Sequence, residues 1–174
     1  MRARTPPDEL RRVYEDHVDS VYAFLAYSVP RQLAEDLTSA TFEKVIRAWR
    51  SYDARLAGER TWILAIARNV LTDHYRRDAL RKAASVDEHP ELLEFAPLGQ
   101  DWEQRTLDAD ELRAWMSVLA EREREVLALR YGSDLKAKDI AELLELSEAN
   151  VHQIISRSLK RLREHASAEQ GQPS

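Results

Sequence analysis

The chain has no cysteine among its 174 residues. That excludes disulfides, thiol nucleophiles and every zinc site built on thiolates. Its four glycines, Gly58, Gly99, Gly132 and Gly171, stand alone, so no glycine-rich loop is available to cradle phosphates. No apolar run approaches the roughly 20 residues of a membrane helix. The opening MRARTPPDEL lacks the apolar stretch and cleavage site of a secretory signal. A bundle metal site needs Glu-x-x-His on facing helices. The residues three before the histidines are Tyr14, Leu71, Val86, Ala149 and Leu162, none of them acidic. These absences point to a cytoplasmic protein that touches no membrane, carries no metal or cofactor, and has no catalytic residue.

Charge of one sign is also missing overall, with 26 basic against 31 acidic residues and a net of −5. Its distribution is uneven. Residues 1–84 carry 15 Lys/Arg and 12 Asp/Glu; residues 85–111 carry one Arg and nine acids; residues 112–174 carry ten of each. Two nearly balanced blocks flank an acidic middle. A protein that coats DNA indiscriminately would be basic throughout, because phosphate neutralisation drives such binding.

What the sequence does contain is helical periodicity. Leu10, Val13, Tyr14, His17, Val18, Val21, Tyr22 and Leu25 recur at i, i+3, i+4. Pro30 closes that helix. Phe42, Val45, Ile46 and Trp49 stripe a second, from about Arg31 to Arg50. A polar segment, Ser51 to Glu59, leads to a third, with Ile63, Ile66, Ala67, Val70 and His74 on one side and Arg68, Asn69, Thr72, Asp73 and Arg76 on the other. Residues 83–103 hold two prolines, a glycine and scattered acids without a period, the composition of a linker. Four shorter helices are expected beyond it, at about 104–118, 121–131, 136–145 and 148–166. No segment alternates as a half-buried strand would. The expected fold class is all-α: two small bundles, 8–82 and 104–166, on a flexible acidic tether.

The segment KAKDIAELLELSEANVHQIISRSLKRLRE carries the sharpest local signal. Ile140, Leu143 and Leu144 give a short helix one apolar face, and Ser147 is placed to cap the next, with Glu148 in its first turn. Two helices joined so tightly form a helix-turn-helix, whose second helix enters the major groove. The outward stripe of that helix is Glu148, Ala149, His152, Gln153, Ser156, Arg157 and Lys160. Gln and Arg suit base edges and Lys suits phosphates. A solvated face on a plain bundle would show the same spacing.

Three segments in order, AEDLTSATFEKVIRAW, RTWILAIARNVLTDHYRR and EREREVLALRYGSDLKAKDIAELLELSEANVHQIISRSLKRLRE, resemble a bacterial sigma factor, best the small extracytoplasmic-function group. The resemblance covers about 8–82, as region 2, and 104–165, as region 4. It implies promoter-specific initiation with core RNA polymerase, with contacts to the β′ clamp helices and the β flap. Asp36, Leu37, Thr38 and Thr41 would dock on the clamp helices. Opening DNA without ATP requires a pocket for an extruded base and a basic track for one strand. The loop Ser51 to Glu59, with Arg60, Trp62, Arg68, Asn69, Asp73, Arg76 and Arg77, would meet the −10 element. Asp73 repels phosphate but can orient an arginine or accept from a cytosine amino group. Trp62 resembles the tryptophan at the melting site of housekeeping sigma factors, although Thr61 replaces the second aromatic and core packing competes for it.

The resemblance also implies that the recognition stripe reads the −35 element and that an anti-sigma protein restrains the free factor. The acidic linker would thread the polymerase cleft. About 20 extended residues reach roughly 65–70 Å, on the order of 20 base pairs. Departures from the family pattern are His152 and Ile154, where basic residues are common, and Lys136 and Lys138, which replace polar and acidic residues and offer phosphate contacts. The rival reading is a stand-alone helix-turn-helix regulator. It would bind a palindromic duplex unaided and has no need of AEDLT or IARNVLTDHYRR.

Overall fold

The computed structural model describes residues 7–84 and 116–170. Six α-helices account for most of them: α1 (Pro7–Ala26), α2 (Arg31–Ala48), α3 (Glu59–Ala84), α4 (Glu121–Leu127), α5 (Ala137–Leu144) and α6 (Glu148–Gln170). There is no strand among the described residues. The acidic stretch from residue 85 and the expected start of the second bundle at 104–115 lie outside them.

Helices α1, α2 and α3 pack side by side. Pro7 opens α1 at a position whose N–H has no helical partner anyway. Pro30, at φ −55° and ψ 149°, precedes α2 and sets the turn between α1 and α2. The bundle core is Val13, Val21, Phe24 and Leu25 from α1, Ala34, Leu37, Phe42 and Val45 from α2, and Ile63, Leu64, Ala67, Val70 and Leu71 from α3. The buried stripe of α3 thus runs through Leu64 and Leu71. Ile66 and His74, expected on it, sit at its margin. Helix α2 ends earlier than the periodicity predicts, tightening into a 3₁₀ turn at Trp49–Ser51.

A polar network fixes the start of α3 against α1. Arg12 donates to both oxygens of Glu59 at 3.0 and 2.9 Å, and His17 Nε2 lies 2.7 Å from Glu59 Oε1. Arg12 holds the Glu59 carboxyl below its ordinary range. Burial opposes this shift and His17 adds to it. An ionised carboxylate only accepts, so Nε2 of His17 carries the proton. Tyr75 Oη donates to the Ser28 carbonyl at 3.0 Å, and burial pushes its phenol up to about 12.

The second bundle is built by α4, α5 and α6. A regular helix to about 131 is expected from sequence; instead α4 relaxes into a π turn at Ala128–Gly132, with Ser133 N–H bonded to the Ala128 carbonyl at 3.0 Å. The wider turn lets Val126, Leu127, Ala128 and Leu129 all face inward. Glu123 accepts the Ala120 N–H at 2.8 Å and pairs with Arg161 of α6 at 2.8 Å, fastening the ends of the bundle. Helix α5 closes in a Schellman turn. Glu145 is left-handed at φ 55°, its N–H reaches the Glu142 carbonyl, and Leu146 N–H reaches the Ala141 carbonyl at 2.9 Å.

Candidate nucleic-acid interface

The turn between α5 and α6 delivers the recognition helix. Ser147 Oγ accepts the Asn150 N–H at 3.1 Å, the N-cap expected from the sequence. Val151 and Ser158 are fully buried, and Ile154, Ile155, Leu159 and Leu162 pack partly against the core. Ser158 satisfies its hydroxyl on the Ile154 carbonyl at 2.7 Å. These anchors rotate α6 so that Glu148, Ala149, His152, Gln153, Ser156, Arg157 and Lys160 are all exposed along one side. Glu148 lies 3.8 Å from His152, and Glu164 lies 3.7 Å from Lys160. Lys136 and Lys138 are exposed at the start of α5.

On α3, Asn69, Arg76 and Arg77 are exposed, and Asp73 is half-buried beside them. Lys44 of α2 reaches Asp73 at 3.2 Å, and Arg77 Nε donates to the Asp73 carbonyl at 3.1 Å. Lys44 thus neutralises the one acid on this face. It escaped the sequence reading because the contact crosses two helices 29 positions apart. Arg60 and Arg68 point elsewhere, toward the second bundle. Arg60 donates to the Ser133 carbonyl at 3.4 Å, and Arg68 Nε to Glu125 at 2.6 Å.

The loop before α3 is organised from within. Asp53 accepts the Arg55 N–H at 3.0 Å and grips its guanidinium, which lowers the Asp53 pKa. Tyr52 Oη donates to the Ala57 carbonyl at 3.2 Å. Trp62 is half-buried, with ring centroids 5.9 Å from Trp49 and 5.1 Å from Tyr52. The three rings form a platform under the loop, and Leu56 projects from its tip, 83% exposed. Tyr52 was missed because a lone aromatic in a polar loop has no periodicity to reveal it.

The expected polymerase surface on α2 needs correction. Asp36 is exposed, but Leu37, Thr38 and Thr41 are 7, 6 and 0% exposed. Thr38 and Thr41 each turn the hydroxyl back onto the helix at 2.7 Å, bonding to the carbonyls of Ala34 and Leu37. They hold α2 in the bundle. The residues sharing the outer side of α2 with Asp36 are Ser39, Glu43 and Arg47.

Comparison with known proteins fits this layout. Residues 13–81 match sigma-70 region 2 and residues 115–164 match sigma-70 region 4. The chain belongs to the sigma-70 family, in its extracytoplasmic-function group. It is 29% identical over 152 residues to the ECF RNA polymerase sigma factor SigM of Bacillus subtilis, covering 87% of this chain and 91% of that one. It is 25% identical over 156 residues to BldN of Streptomyces coelicolor, covering 89% of this chain and 59% of the relative. The sigma factor RpoE of Bartonella quintana, solved with the anti-sigma factor NepR, shares the fold at a TM-score of 0.76 and 20% identity, over 90% of this chain and 96% of that one. As a sigma factor the protein directs promoter-specific initiation by core RNA polymerase and is not itself an enzyme. Among the described residues no helix is long and apolar enough to cross a membrane.

Proposed function

We propose that the two exposed faces divide the promoter between them. The α6 stripe reads the −35 element, with Gln153 and Arg157 on base edges and Lys160, Lys136 and Lys138 on phosphates. Asn69, Arg76 and Arg77 of α3 hold the −10 strand, with Arg60 and Arg68 joining them, Lys44 offsetting Asp73, and the loop over Trp49, Tyr52 and Trp62 receiving an unstacked base. Asp36, Ser39, Glu43 and Arg47 form the docking edge for the β′ clamp helices, the second bundle meets the β flap, and 83–103 tethers the two units. The observation that carries this reading is the α6 stripe: all seven of its residues are exposed on a helix whose first turn is capped by Ser147. A cytoplasmic location follows from work on RNA polymerase. The NepR complex of the Bartonella protein supports a restraining partner of the anti-sigma kind here as well.

Core-binding affinity measured beside permanganate footprinting tests the division of labour. Asn69→Ala and the double change Arg76→Ala, Arg77→Ala should leave core binding intact and weaken melting, more steeply as salt rises. Asp36→Ala and Glu43→Ala should do the reverse. Loss of core binding by the double arginine variant, with normal melting per bound complex, would remove α3 from the DNA.

A further inference from the structure

The first half of α6 carries no fixed positive charge. From Glu148 to Ser156 the side chains are acidic, neutral or apolar apart from one histidine, and the first Lys or Arg is Arg157. Yet the N-terminal residues of a recognition helix are the ones that reach base edges, beside phosphates that reward a cation. The group able to supply one is His152, exposed one turn after Glu148. Its Nε2 lies 3.8 Å from Glu148 Oε1, with 66% of the histidine side chain and 58% of the glutamate exposed.

The surroundings leave this pair to itself. Among the described residues, Glu148 is the one acid within ion-pair distance of His152. Glu123 of α4, a helix packed against α6, is taken by Arg161. The exposed charges at and around α5, namely Lys136, Lys138, Glu142 and Glu145, form no ion pair with either partner.

Histidine is the side chain that changes charge between about pH 5 and 8. A neutral His152 leaves the Glu148 carboxylate uncompensated, facing DNA phosphates that repel it. A protonated ring donates from both nitrogens. One can face Glu148 and the other a base-edge acceptor such as guanine N7. We infer that His152 is a proton-dependent specificity residue: charged, it offsets Glu148 and adds a donor to a −35 base edge, so that promoter choice shifts with pH. The inference rests on the reading that the α6 stripe lies on the −35 element. DNA stabilises the charged ring, so binding takes up a proton and affinity falls as pH rises.

The test uses holoenzyme, reconstituted from the full chain, transcribing two templates in one tube. One depends on its −35 element and the other lacks it, so their ratio cancels the pH response of the polymerase itself. Between about pH 8 and about pH 6 the wild-type ratio should rise about fivefold, the scale of one exposed charge-assisted contact. His152→Gln should hold the ratio low and flat, and His152→Arg should hold it high and flat. Glu148→Gln should raise it at the upper pH and shrink the response. The wild-type response should also be lost on a template changed at one −35 base pair. The same slope in wild type and both His152 variants would overturn the inference. A response that survives every single-base change would overturn the base-edge contact. A flat wild-type ratio that still drops with Arg157→Ala would overturn the inference alone. If neither Arg157→Ala nor loss of the element moved transcription, the −35 reading would fall and the inference with it.

Discussion

Ser147→Ala is the substitution with the most direct route from one atom to promoter choice. The hydroxyl accepts the Asn150 N–H at the first turn of α6, and the side chain is exposed, so its removal leaves no cavity. Losing an N-cap of this type costs about 1 kcal/mol, within a range of roughly 0.5–2. For a chain of this size that lowers Tm by about 2–4 °C. The cost falls on the turn that presents Glu148, Ala149, His152 and Gln153. A frayed first turn must be re-formed on DNA, which reduces affinity for a −35 element about fivefold per kcal/mol. Ser147→Asn restores the acceptor and should recover both quantities. The assay is thermal unfolding beside transcription from two templates, one dependent on its −35 element and one carrying an extended −10 alone. Equal losses from both templates, or equal behaviour of the Ala and Asn variants, would refute the chain of reasoning from cap to contact.

Gln153→Ala and Arg157→Ala remove side chains from the exposed face and should change stability by less than about 0.5 kcal/mol. Each should relax base preference at one −35 position by about 1–3 kcal/mol, read by competition among single-base promoter variants. Glu59, with its carboxyl held low by Arg12, stabilises the fold above the ordinary carboxylate range and loses that contribution as pH falls through its depressed value. Urea unfolding across a falling pH series should therefore show a wild-type advantage over Glu59→Gln at pH 7 that narrows once the pH drops below the ordinary carboxylate range. Leu129→Ala, at a fully buried position within the π turn, should cost about 2–5 kcal/mol, seen as a lower urea midpoint.

Much of this was legible in the sequence, and the reasons are local. The α1 stripe, the proline at the α1–α2 turn, the Ser147 cap and the outward side of α6 depend on spacing and on residues within a turn of each other. Threonine misleads for a physical reason. Thr38 and Thr41 look polar in sequence, yet a threonine inside a helix can spend its hydroxyl on the preceding turn and bury its methyl. The π turn was hidden because Ala128–Gly132 keeps an ordinary helical composition. The Arg68–Glu125 pair, 57 positions apart, and the aromatic platform under the 52–58 loop arise from packing between elements, which no periodicity records.

The central claim is that this chain confers promoter choice on a polymerase that has none. Run-off transcription with sigma-free core polymerase on genomic fragments, with 5′ ends mapped, measures that claim. Adding the protein should produce a discrete set of start sites whose upstream sequences share two elements at a fixed spacing, and the set should shrink with Arg157→Ala. Start sites no different from those of core polymerase alone, together with tight binding of the free protein to a palindromic duplex, would contradict it.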